Sequence, residues 1–154
     1  MQKNTFFYLN MHDAAAQETL PIEFGYYPLG ASPTTAWTVL RALRSLRIIR
    51  AGQDEVDLQD AIEGMLRHYG LPTQREYRFG PRCRADIWCD GVVVEIKKQR
   101  PVLGDLVAQI SRYAAQPGCR EIIVVLQRSV LLPDSIGGKP VHVLSLNSNW
   151  GVAL

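Results

Sequence analysis

The chain reads as an α/β domain built on a mixed sheet flanked by helices. Three observations point there. Apolar residues recur at helical spacing in three segments, and β-rich runs at 74–79, 83–89, 92–97, 122–126 and 141–146 are bounded by turn residues. Asp90-Gly91 joins two of those runs as a tight hairpin, which makes them antiparallel. Ile122 to Leu126 is apolar throughout, as in a strand buried on both faces, and it follows a helix rather than a turn.

Composition sets the outer limits. The 154 residues are 47% hydrophobic and 21% charged, enough for a real core and unlike low-complexity or collagen-like chains. No run approaches the roughly 18–20 apolar residues of a membrane helix. The start, MQKNTFFYLN, lacks the pattern of a signal peptide. Cys83, Cys89 and Cys119 cannot close a disulfide framework and have no zinc-like spacing. Small apolar fillers in a reducing cytoplasm are the expectation. The net charge of +2 hides a division: residues 1–50 carry five basic and three acidic groups, residues 51–154 twelve of each.

The elements follow in order. Residues 1–31 are aromatic and turn-rich without clear period, with one short helix expected around 11–19. Ser32-Pro33 reads as an N-cap and a first-turn proline, and Trp37, Leu40 and Leu43 carry a helix over about 33–47. Arg41, Arg44, Arg47 and Arg50 punctuate this helix, and Ala51-Gly52 ends it. Asp54 caps a second helix whose inward face is Leu58, Ile62, Met65, Leu66 and Tyr69; Gly70 and Pro72 stop it. After the strands at 74–79, 83–89 and 92–97, a third helix runs along Leu103, Leu106, Val107, Ile110 and Ala114 to Pro117-Gly118. A loop with Pro133 and Gly137-Gly138 separates the last two strands. The expected division is an N-terminal extension, 1–53, and a domain, 54–154.

The two-residue Asp90-Gly91 loop sets a register in which facing positions sum to 181. One face then pairs Cys89 with Val92, Ile87 with Val94 and Ala85 with Ile96, all apolar. The other pairs Trp88 with Val93, Asp86 with Glu95 and Arg84 with Lys97. Opposed side chains have Cβ atoms about 4.5–5.5 Å apart, and like charges there repel. A divalent cation between Asp86 and Glu95 would remove that repulsion. Magnesium prefers oxygen ligands and is commonly held by one or two carboxylates. Lys97, two residues beyond Glu95 on the same face, is placed to orient water or stabilise phosphate charge. A solvated sheet face of mixed charge is the plainer alternative.

Helical phase adds three residues. Glu55 lies three before Leu58 and seven before Ile62, on the inward stripe, whereas Glu63 is turned about 100° away toward solvent. A first-turn acid favoured by the helix dipole is the alternative for Glu55. Gln109 and Tyr113, four apart on the third helix, project to one place. His12, His68 and His142 have no ligand spacing, and Gly137-Gly138-Lys139 lacks the phosphate-loop pattern.

Together these residues resemble the PD-(D/E)XK nuclease superfamily. The motif stands here as Asp86, eight residues, then Glu95-Ile96-Lys97, in the family order of helix, three strands, helix, strand. Glu55-Val56-Asp57-Leu58-Gln59 is similar to the helix start of virus-type replication-repair nucleases, and Gln109-x-x-x-Tyr113 to a helix motif of RecB-like members. Ala85 stands where many relatives have proline. The resemblance covers about residues 54–127.

It implies a restriction-endonuclease-like core and a Mg²⁺- or Mn²⁺-dependent deoxyribonuclease, an endonuclease, hydrolysing DNA phosphodiesters. It implies metal ligation by Asp86, Glu95, the Ile96 carbonyl and Glu55, with Lys97, Gln109 and Tyr113 completing the catalytic set. Many relatives pair to cut two strands, so a homodimer is a further expectation. Between residues 75 and 100 seven basic groups stand against four acids. Arg78, Arg82, Arg84, Lys98 and Arg100, with Arg112, are the candidate phosphate contacts. The alternative is a nuclease-fold protein that binds nucleic acid or protein without cutting.

Overall fold

The computed structural model describes residues 34–46 and 55–146, and only the backbone of Glu55. The expected helix near 11–19, the Ser32 and Asp54 caps, Arg47, Arg50 and His12 lie outside the described residues. Three helices are described: α1 (Thr35–Ser45), α2 (Glu55–His68) and α3 (Leu103–Ala114). The strands are β1 (Gln74–Gly80), β2 (Cys83–Cys89), β3 (Val92–Lys97), β4 (Glu121–Leu126), β5 (Ser135–Ile136) and β6 (Lys139–Ser145). They form one mixed sheet ordered β1-β2-β3-β4-β6-β5.

Strands β1, β2 and β3 run antiparallel to their neighbours, β3, β4 and β6 run parallel, and β5 is antiparallel to β6. The switch at β3 follows from the connections. Asp90 and Gly91 both take positive φ, 44° and 85°, the geometry of a hairpin turn that matches strand twist. From β3 to β4 the chain crosses over through α3 instead, and such a crossover returns the strand parallel. The short β5 was not expected. Gly137-Gly138, both at positive φ, makes a second tight hairpin where the sequence read as a plain loop.

Each face of the sheet carries its own core. Ala36, Val39 and Leu43 of α1 and Leu58, Ile62 and Leu66 of α2 pack on Ile87, Val92, Val94, Ile96, Ile123 and Val125. Leu106, Ile110 and Tyr113 of α3 pack on Val93, Ile122, Val124 and Leu126 on the opposite face. The unbroken apolar run of β4 is thereby explained, since alternate residues feed two cores. Helix α1, placed by the sequence division in the N-terminal extension, shares its core with α2 and the sheet.

Two polar clusters hold the edges. Arg41 lies over the rings of both Trp37 and Tyr69, 5.1 and 5.3 Å from their centroids, joining α1 to α2. Glu63 does not turn to solvent as its helical phase suggested. Its side chain is 14% exposed and accepts from Arg67 and Thr73 at 2.8 and 3.3 Å, because Arg75 of β1 draws Gln59, Asp60 and Glu63 toward the sheet edge. All three cysteines are buried and free, as fillers should be.

Leu43 is fully buried beneath the sheet. Leu43→Ala should cost about 2–5 kcal/mol. Chemical unfolding followed by tryptophan fluorescence and by far-UV circular dichroism should show both transitions moving together. A separate early transition would mean that α1 is not part of the cooperative core.

Candidate active site

The observed register agrees with the sequence near the turn and departs from it at the charged residues. Cys89 faces Val92, Trp88 faces Val93 and Ile87 faces Val94. The expected next pairs, Asp86 with Glu95, Ala85 with Ile96 and Arg84 with Lys97, are not ladder partners. In a regular ladder Ala85 and Ile96 would exchange both backbone bonds. Instead the Ile96 N–H donates to Asp86 Oδ2 at 2.7 Å, so a side chain takes the place of a backbone acceptor.

A turn in strand β2 goes with this opening. Ile87 and Cys89 pack into the α1/α2 core, whereas Cys83 and Ala85 pack into the α3 core. All four are odd-numbered and would share one face of a flat strand. The strand therefore rotates about its axis at Asp86. Across the sheet, Tyr77 pairs with Ala85 and Arg75 with Ile87, and the intervening Glu76 has φ 50°. A non-glycine residue in that region is uncommon and marks a local kink. Ala85 is thus a correction to the expected apolar face, while Trp88 and Val93 face α3 as the alternation requires.

Beside the opening stands Glu95, 2% exposed and on the α3 face. Its Oε1 accepts from Gln109 Nε2 at 2.7 Å and pairs with Lys97 Nζ at 2.7 Å. Its Oε2 accepts from the Tyr113 hydroxyl at 3.1 Å. A buried carboxylate is tolerable only when paired and hydrogen-bonded in this way. Gln109 also donates to the Tyr113 oxygen at 2.6 Å, the i,i+4 juxtaposition expected on α3. The single Tyr113 proton is shared between Glu95 and the Arg84 carbonyl, 2.7 Å away. The Phe79 ring meets Tyr113 edge-on at 5.2 Å and stacks on Trp88 at 4.9 Å, which fixes the phenol against the hairpin.

Burial and then the Glu95 charge push the Asp86 carboxyl up to about 7 from its ordinary 3.8. The Ile96 N–H and Lys97 pull it back, and Glu76 adds a smaller push. Burial, reinforced by Glu95, also raises the Tyr113 phenol. At neutral pH Asp86 is therefore poised between its acid and base forms, a state open to either proton transfer or cation binding.

The remaining candidates are placed as follows. Glu55 opens α2, but its side chain lies outside the described residues. Arg84 points to Glu76, 2.8 Å away, so its charge is already engaged. Arg78 sits opposite Arg84 on the exposed side of β1. Arg82 and Arg112 both lie close enough to Cys83 to lower its pKa against the larger rise from burial. Lys98 and Arg100 follow β3 directly. Among the described residues no group of three or more acidic, histidine or cysteine side chains is arranged to hold a metal ion. Asp86 and Glu95 offer two carboxylates, the number with which proteins commonly hold magnesium. The mutual repulsion in the raised Asp86 pKa is what a cation there would relieve.

Sequence reasoning missed Glu76. Its signal was the exposed alternation of β1, but the Gly80-Pro81-Arg82 turn does not announce its register as Asp-Gly does. It missed Arg120 as well, whose Nη2 bonds both the Asp90 carbonyl and, at 2.7 Å, the Asp90 carboxylate, clamping the hairpin turn. No family model, curated protein or solved structure matches the chain.

The Asp86 shift has a definite sign. Its folded pKa lies above its unfolded one, so the native state holds the extra proton between about pH 4 and 7. That contribution is present below the unfolded pKa and is lost as pH rises through the folded one. Asp86→Asn keeps an oxygen for the Ile96 N–H and removes the titration. Urea unfolding in EDTA should show wild type losing on the order of 2–3 kcal/mol between pH 5 and pH 8. The variant should lose that much less. Equal losses would assign the pH dependence elsewhere.

Proposed function

We propose that the protein is a metal-dependent DNA nuclease with a restriction-endonuclease-like core. The observation that carries this reading is the meeting of Asp86, Glu95 and Lys97 where β2 and β3 separate. Two carboxylates and an ammonium at a sheet opening suit phosphodiester hydrolysis. A bound Mg²⁺ or Mn²⁺ would supply Lewis-acid activation of phosphate and water.

In this reading Asp86 and Glu95 hold the cation, with Glu55 and the Ile96 carbonyl as the further ligands that the family resemblance suggests. Gln109 and Tyr113 act through Glu95. They hold its two oxygens from the α3 side and so orient the carboxylate toward the opening. Lys97, 30% exposed, reaches from the same carboxylate toward solvent, where it can steady an attacking water or the charge on phosphate. Arg78, Arg82, Lys98, Arg100 and Arg112 are the basic groups that would meet phosphates in this reading.

A specific observation favours the second reading, a nuclease-fold protein that binds without cutting. Both Glu95 oxygens are already held, by Lys97, Gln109 and Tyr113. A cation must compete with the Lys97 ammonium for one of them.

Linear, circular, single-stranded and branched DNA, incubated with the full chain in Mg²⁺ or Mn²⁺, tests the two readings. Cleavage by wild type, abolished by EDTA and reduced at least about 100-fold in Asp86→Ala and Lys97→Ala, is the expected result. Both variants should keep wild-type far-UV circular dichroism. Binding without cleavage on every substrate would establish the second reading.

A further inference from the structure

The parallel strands β3 and β4 end side by side: Lys97 pairs with Leu126, and the Gln127 N–H donates to the Lys97 carbonyl at 3.3 Å. Two connections leave this edge together, residues 98–102 into α3 and residues 127–134 toward β5. They carry Lys98, Arg100 and Arg128 and no acid between 98 and 103 or between 127 and 133. The nearest acids along the chain are Asp105 and Asp134. These two segments and the first residue of α3 bear three of the four large apolar side chains exposed among the described residues: Val102 at 70%, Leu103 at 49% and Leu131 at 93%.

Leu131 is held out by its neighbours. Val130 and Leu132, on either side, pack against the α3-side core, and this anchoring leaves the side chain between them projecting into solvent. An aliphatic group on an anchored loop, with Arg128 three residues before it and Lys98 and Arg100 on the loop that leaves the same edge, matches the chemistry of a wedge. Apolar side chains of this kind enter between base steps and unstack them, while the cations hold the flanking phosphates. Charge excludes an equal match to a basic partner and favours a polyanion.

We propose that the 98–103 and 127–133 loops form a nucleic-acid-opening edge, in which Leu131 inserts at a base step beside the scissile phosphate. The inference rests on the nuclease reading, because Lys97 ends the strand from which the first loop departs. It adds a substrate preference: DNA that is already interrupted or unpaired, such as a nick or a single-strand/double-strand junction, costs least to open.

Oligonucleotides carrying 2-aminopurine next to a nick or a junction, and matched uninterrupted duplex, provide the test. Ca²⁺ in place of Mg²⁺ keeps them uncut. Wild type should raise the fluorescence at the discontinuity, and Leu131→Ala should abolish the rise while fluorescence anisotropy shows affinity within about twofold, since cations supply most of it. Cleavage of the nicked or junction substrate in Mg²⁺ should fall about tenfold. Arg128→Gln should instead weaken binding to all DNAs alike. Leu131 is exposed, so its replacement spares the fold.

An unchanged fluorescence rise and cleavage rate in Leu131→Ala, with wild type active, would overturn the wedge and leave the nuclease standing. Failure of wild type to bind or cut any of these DNAs would remove the underlying reading. Two further controls point elsewhere. Loss of binding to anionic phospholipid vesicles, or of self-association in sedimentation, in Leu131→Ala with DNA behaviour unchanged would overturn the wedge in favour of a lipid or protein contact.

Discussion

The bond from the Ile96 N–H to Asp86 Oδ2 is the constraint around which the site is organised. It ends the β2–β3 ladder three pairs short of where the hairpin register would carry it. A backbone donor in a sheet must find an acceptor, and here a carboxylate provides it. The strand can then rotate at Asp86, sending Ala85 to one core and Ile87 to the other. Without that rotation Asp86 and Glu95 would stand directly opposed on a flat face, where two like charges repel and water screens them.

The cost of the arrangement is electrostatic, and the surroundings offset it unequally. Glu95 is almost fully buried but receives three donors from Gln109, Tyr113 and Lys97. Asp86 accepts from the Ile96 backbone N–H, lies near Glu95 and Glu76, and is the carboxylate whose pKa rises. Asymmetry of this kind separates the two carboxylates chemically. One is held fixed, and the other exchanges a proton near neutrality. The aromatic chain from Trp88 through Phe79 to Tyr113 gives the fixed carboxylate its rigid backing.

Much of this was legible in residue order. Asp90-Gly91 specified its own turn, and the pairs adjacent to it followed; helical spacing brought Gln109 and Tyr113 together on α3. What escaped was longer in range. Register propagates from a turn only while each backbone bond finds its regular partner, and no periodicity shows where a side chain will intervene. Glu63 escaped for a related reason. Its helical phase is outward, but an outward residue becomes buried when an edge strand bearing Arg75 packs beside it. The Gly137-Gly138 hairpin was missed because β5 is too short to show alternation.

Topology then decides which surface a site made this way can address. The carboxylates sit within the sheet between β2 and β3, but Lys97 lies at the strand end, where the parallel pair β3 and β4 stop together. Open sheets present ligands at the carboxyl ends of their parallel strands, because the connecting loops there are free to vary. In this chain those loops are basic and expose aliphatic side chains, whereas the opposite end of β4 is closed by Arg120 against the Asp90-Gly91 turn. Charge is arranged locally in the same sense: Glu95 is buried at the opening, Asp86 lies beside it, and Lys98, Arg100 and Arg128 stand on the two loops that leave the strand ends. In the proposed reading, a polyanion approaching this end would meet the loop cations first and the two carboxylates only beyond Lys97.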